Sequence, residues 1–112
     1  MLAKKRRLRA ADFKEFRGAA VLHTPHFLLR VKKTAGSAPA RAAAVVSAAV
    51  SKKAVTRNLI RRRVYAVLEG NDFRALPPLL LSISAKKGAK ELSFSEIKQE
   101  LAAALLKIRA MR

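Results

Sequence analysis

Arginine and asparagine crowd residues 54–63, "AVTRNLIRRR", in a pattern suited to holding phosphate. Stepping about 100° per residue along a helix puts Arg57, Asn58, Arg61, Arg62 and Tyr65 on one contiguous arc. Val55, Leu59, Ile60, Val64 and Val67 fall on the remainder, interrupted by Thr56 and Arg63. One side can therefore pack while the other displays three guanidinium groups, an amide and a phenol. A guanidinium donates two parallel hydrogen bonds to a phosphate and keeps its charge at any physiological pH. An asparagine amide donates and accepts, which suits a sugar hydroxyl or a base edge. Like charges four residues apart on a helix repel by roughly a few tenths of a kcal/mol per pair. Glu69 is the one carboxylate close by in sequence, so a solvated face of surface ion pairs is the weaker explanation. An anion is the stronger one. Major-groove DNA readers also combine Arg and Asn, so a DNA recognition helix stands as the alternative.

The rest of the composition agrees. The 112 residues carry 25 Lys and Arg against seven Asp and Glu, a formal net charge of +18. Such an excess implies a polyanionic partner, most simply nucleic acid and less often an anionic membrane surface. Half the residues are apolar, enough for a real core in one domain of ordinary size. The absence of cysteine excludes disulfides, thiol catalysis and cysteine-based zinc sites. No apolar run approaches the ~20 residues needed to cross a bilayer. The basic start "MLAKKRRLR" is not followed by a hydrophobic stretch, so no signal peptide is expected and the cytoplasm is the default.

Other chemistry is thin. Phe13, Phe16 and Phe27 could stack on unpaired bases within a basic surround, although a core position is the commoner fate of a phenylalanine. His23 and His26 form H-x-x-H without a third ligand, so no metal site is expected. Nothing resembles a Ser-His-Asp set or a phosphate-binding glycine loop, and no catalytic residue is assigned.

Several elements must position these groups. Residues 1–9 form a basic arm that a phosphate backbone could order. "AADFKEFRG" reads as a short helix with Asp12 as N-cap and Gly18 as stop. "HTPHFLLRVKK" runs through a proline turn into a strand, Phe27 to Val31, and "TAGSAPA" is a loop. "RAAAVVSAAV", 41–50, is assigned as a strand because a loop precedes it and a stronger helix follows. Apolar residues at 55, 59, 60, 64, 67 and 68 predict a helix from Ser51 to Glu69, with Gly70 as its C′ residue and Asn71-Asp72 continuing the turn. "PPLLLSISA" reads as a buried strand and "KKGAK" as a turn. "SFSEIKQELAAALLKIRAMR" opens with a Ser-x-x-Glu capping signature, Ser93–Glu96 or one residue away, and continues as an amphipathic helix. The order, αβββαβα, predicts an α+β fold, a two-layer α/β sandwich of helices on a small sheet.

Taken together, "AVTRNLIRRR" resembles the R-N-R-x-K-R segment of the protein subunit of bacterial ribonuclease P. Arg7, Leu8, Asp12, Phe13 and Gly18 match that family's start, and "HFLLRV" sits where its second strand carries an aromatic residue. "VVSAAVSKKAV" leads into the helix as the family's V-S-K-K-V-x-K-x-A-V does. The resemblance implies three helices around a four-stranded sheet, with a left-handed crossover through the arginine helix against the usual right hand. It implies that Arg57, Asn58, Arg61, Arg62, Lys52 and Lys53 bind a catalytic RNA subunit. Phe13, Phe16 and Phe27 would line a cleft for the 5′ leader of precursor tRNA. It further implies that hydrolysis belongs to the RNA and its Mg²⁺ ions, and that no protein partner is required. Two departures stand out: Leu59 replaces the motif's usual second arginine, and Ala48-Ala49 stand where two lysines are expected. A purely structural RNA-binding protein, such as a ribosomal component, is the alternative.

Overall fold

The computed structural model describes residues 18–34 and 39–111. Four strands form one sheet: β1 (Ala20–His23), β2 (Phe27–Lys33), β3 (Arg41–Val45) and β4 (Leu79–Ala85), in the spatial order β1-β2-β4-β3. β1 with β2 and β2 with β4 are antiparallel, whereas β3 and β4 are parallel. A parallel pair cannot be closed by a tight turn. The chain between β3 and β4 therefore makes a crossover through α1 (Ala54–Leu68) and the single-turn α2 (Asn71–Arg74). A 3-10 helix, Lys87–Glu91, then leads to α3 (Phe94–Ala110). The architecture is α+β, as expected, with a mixed sheet and two long helices. The short helix expected at residues 12–18 lies largely outside the described residues, and so do Phe13, Phe16 and the basic arm.

Strand alternation decides which residues meet the helices. The register puts Phe27, Leu29 and Val31 of β2 beside Leu81 and Ile83 of β4 and Ala42 and Ala44 of β3 on one face. That face joins Ile60, Val64, Val67 and Leu68 of α1 and Ile97, Leu101, Leu105 and Ile108 of α3 in one core. Each Val, Leu, Ile or Phe side chain in it contributes about 1.5–3 kcal/mol by leaving water. Phe73 and Leu76, in and just after α2, complete it.

Several boundaries differ from the sequence expectation for local reasons. The 41–50 stretch stops being a strand at Val45. Val50 N–H then donates to Ser47 O at 3.1 Å in a turn, while Val46 and Val50 still bury their side chains. α1 starts at Ala54 rather than Ser51, because Ser51 turns the chain first: its hydroxyl accepts from Lys53 N–H at 3.2 Å. Gly70 has no left-handed backbone, unlike Gly18 at φ 74°. A Cβ at Gly70 would lie 3.2 Å from Val67 O, so close approach rather than backbone sign explains the glycine. "KKGAK" tightens into a 3-10 helix. The cap of α3 is a full box: Ser93 Oγ accepts from Glu96 N–H, and Glu96 Oε1 accepts from Ser93 N–H.

One polar cluster ties the β1–β2 turn to α3. Glu100 Oε2 accepts from the Thr24 hydroxyl at 2.6 Å and from His26 N–H at 2.9 Å, and its Oε1 lies 2.7 Å from His26 Nδ1. A carboxylate acceptor requires that Nδ1 carry the proton. Lys86 Nζ donates to Thr24 O at 2.8 Å, and Gly88 lies so close to the imidazole that a Cβ would fall 2.9 Å from Cδ2. His26 is thus committed to Glu100 rather than paired with His23 as H-x-x-H. Burial alone would raise the Glu100 pKa. The hydrogen bonds from Thr24 and His26, with attraction to His26, outweigh it and hold the carboxyl below its ordinary value of 4.5. A depressed carboxyl contributes stability that is present above the unfolded-state value and lost as pH falls through the folded one. Urea midpoints should therefore drop on acidification below pH 4.5, the ordinary value. They should drop less steeply in Glu100→Gln. Identical acid limbs in the two proteins would show that the cluster carries no such linkage.

Candidate nucleic-acid interface

The roll of α1 is set by its buried stripe of Ile60, Val64, Val67 and Leu68. With that stripe against β3 and α3, the opposite side faces outward, and Val55, Asn58, Arg61, Arg62 and Tyr65 line one open concavity. Arg61 Nη2 donates to Asn58 Oδ1, which fixes the amide with its NH₂ free to donate. Arg62 is exposed and has no hydrogen bond or ion pair among the described residues. The Tyr65 hydroxyl accepts from Ala44 N–H of β3 at 3.2 Å, so the phenol is half-buried and bridges helix and sheet.

Arg57 sits at the flank of this arc rather than in it. It is half-buried, and its Nη1 donates to Ser51 O at 2.8 Å, holding the turn that opens the helix. Lys52 and Lys53 are exposed but belong to that approach, with Lys53 as an N-cap that has no side-chain cap bond. The first turn of α1 holds no acidic residue. Its unpaired N–H groups and positive dipole end therefore add to the lysine charge instead of being neutralised. None of Arg57, Arg61, Arg62 and Arg63 forms an ion pair with a carboxylate among the described residues. The cationic charge is unbalanced within the described fold.

The apolar remainder of the arc is not one packing face, a correction to the wheel. Val55 is 77% exposed and Leu59 37% exposed. Leu59, Arg62, Arg63, Ala66 and Phe94 instead line a shallow groove where α1 passes the start of α3. Arg63 crosses to α3's entry, its Nη1 donating to Leu92 O at 2.9 Å. The helical spacing gave no signal for this, because periodicity marks apolar positions without saying which of them a neighbour covers.

Phe27 is a second correction. Its ring is fully buried on the helix-packed face, so it builds the core and is closed to a stacked base. The other face of the sheet carries His23, Leu28, Arg30, Lys32 and Arg41 by strand register. No group of three or more His, Cys, Asp or Glu side chains able to hold a metal occurs among the described residues. No helix among them is long and apolar enough to cross a membrane.

A family model described as Ribonuclease P matches residues 2–109. The ribonuclease P protein component of Geobacter sp. (strain M21) is 41% identical over 109 residues, spanning 93% of this chain and 88% of the relative. That of Citrifermentans bemidjiense is 39% identical over 108 residues, with the same two shares. The fold is similar to the RNase P protein of Staphylococcus aureus, with a TM-score of 0.79 at 20% identity over 95% of each chain. It is also similar to that of Thermotoga maritima, at 0.76 and 20% identity over 95% of this chain and 97% of the other.

The bridge from Tyr65 to Ala44 generates a test of how firmly the arc is seated. Tyr65→Phe deletes one half-buried hydrogen bond and leaves Ala44 N–H without that acceptor. It should lower unfolding free energy by about 1 kcal/mol, read as a shift in urea midpoint with no change in slope. No shift at all would mean that water replaces the phenol without cost.

Proposed function

Since the chain belongs to the ribonuclease P protein family, we propose that α1 lays Asn58, Arg61 and Arg62 on the backbone of the catalytic RNA, with Arg57, Lys52 and Lys53 at the flank. The chain is the protein subunit of ribonuclease P, the accessory part of an endoribonuclease that matures tRNA 5′ ends, and the RNA is the catalytic subunit. The observation that carries the proposed contact is the gathered arc of guanidinium groups without carboxylate partners among the described residues.

Neutralising several phosphates releases condensed counterions, which makes affinity large at low salt and steeply salt-dependent. The bidentate guanidinium and the oriented Asn58 amide add register to that unspecific attraction. A weaker second partner is the 5′ leader of precursor tRNA, held near Phe13 and Phe16 and the sheet face that carries Arg30. Phe27 supports that face from the core side. By screening RNA backbones the protein raises substrate affinity and favours Mg²⁺ binding by the RNA. The described side chains offer no carboxylate cluster to hold the ion, and Glu100 is already engaged. No metal step is therefore assigned to the protein.

The same reading covers residues 1–112 as one RNA-binding domain with a basic arm at 1–9. It also covers the helix ahead of β1 and a left-handed β3–α1–β4 crossover, for which the TM-scores are the support. It includes a cytoplasmic location, where the RNA partners are made, and no further protein partner.

Adding the full chain to the catalytic RNA and precursor tRNA at low Mg²⁺ should stimulate leader removal. A purely structural RNA-binding protein would bind without stimulating cleavage. Arg61→Ala is a cleaner variant than Arg57→Ala, because Arg57 also holds the Ser51 turn. Arg61→Ala should weaken assembly and reduce the slope of log affinity against log salt by roughly one, with an unchanged circular dichroism spectrum. Native activity of that variant at limiting protein would count against the assigned contact.

A further inference from the structure

The groove beside the arginine arc has a chemistry of its own. It is lined by the apolar Leu59, Ala66 and Phe94 together with Arg62 and Arg63. Phe94 keeps 42% of its surface in contact with solvent although it stands at the first position of α3, where a polar residue would serve the helix equally well. Isolated exposed apolar residues need no explanation, but here three converge in one concavity between two guanidinium groups.

We propose that this groove seats one unpaired nucleobase of the RNA partner, stacked on Phe94 against Leu59 and Ala66, with Arg62 on the adjoining phosphate. The proposal rests on the reading of α1 as the RNA-gripping helix and names a contact that the reading leaves open. Three observations favour a base over a protein segment. Its apolar lining is one ring and two aliphatic side chains, a set that suits a single base. Its rim is cationic with no carboxylate partner among the described residues, which suits a polyanion. Arg62 lines both this groove and the concavity of Asn58, Arg61 and Tyr65, so one bound strand could occupy the two without a gap. Base–aromatic stacking flanked by guanidinium groups is a common way of holding an unpaired nucleotide.

The seat is also preformed. Phe94 follows Ser93, whose capping box with Glu96 fixes the start of α3. The bond from Arg63 to Leu92 O pins α1 to the same segment and ties that guanidinium to the entry of α3. Little ordering is then required on binding.

The chain contains no tryptophan, so Phe94→Trp places a single, selectively excitable indole in the groove. With the full chain and the catalytic RNA, Phe94→Ala should weaken binding about tenfold, the size of one base–aromatic stack, at an unchanged salt slope. Phe94→Trp should restore affinity, and its emission should be quenched as RNA is added. If Phe94→Ala binds like the native chain while Arg61→Ala does not, the seat is overturned and the arginine reading stands. If neither variant weakens binding, both fall. Emission that responds to protein concentration alone and not to RNA would assign the groove to a second copy of the chain and overturn the proposal.

Discussion

Four apolar side chains on one stripe of α1, at positions 60, 64, 67 and 68, determine what the protein can present. Once Ile60, Val64, Val67 and Leu68 enter the core, the helix has no rotational freedom left. Every other side chain on it is assigned a direction. Arg61, Arg62 and Asn58 are then held outward on a rigid element, and Tyr65 reaches the sheet. A phosphate-gripping face of this kind depends on placement as much as on charge, because a bidentate contact tolerates little error in direction. The parallel pairing of β3 with β4 supplies the other half of the constraint, since it forces the chain through a long crossover and lays α1 against β3.

The cost of such a surface is electrostatic. Eighteen net positive charges repel one another, and the arginines of α1 gain no relief from carboxylates among the described residues. The fold answers with an apolar core that engages both long helices, and with carboxylate ties placed on α3 rather than on α1. The Ser93–Glu96 box and the Glu100 cluster both lie on α3 and use both of its acidic side chains. Carboxylates are thus spent on holding the scaffold and withheld from the face meant for an anion.

Much of this organisation could be read from residue order. Helical spacing located α1 and α3, the paired prolines ahead of "LLLSISA" located β4, and Ser93 with Glu96 marked one helix start. The arc of Asn58, Arg61, Arg62 and Tyr65 followed from a hundred-degree step. What could not be read was tertiary. Leu59 and Ile60 are adjacent and equally apolar, yet only Ile60 is buried in the core. Phe27 could have faced either side of β2, and its side is decided by register with Ala85. Arg57 was displaced from the arc by a backbone carbonyl at Ser51 that no pattern announces. Glu100 gave no hint of its partners, because Thr24 and His26 lie on a turn more than 70 residues earlier. Gly70 looked like a helix terminator of one kind and proved to be one of another.

The bond between Tyr65 and Ala44 has a consequence beyond seating the helix. Among the described residues β3 borders the sheet, and Ala44 directs its amide not to β4 but to the Tyr65 hydroxyl of α1. An uncovered margin of that kind is a template onto which another chain can add a strand. By taking up the amide, the phenol blocks such addition at the middle of β3, and the cations of α1 beside it repel a second basic molecule. The groups that welcome a polyanion thereby also discourage self-association.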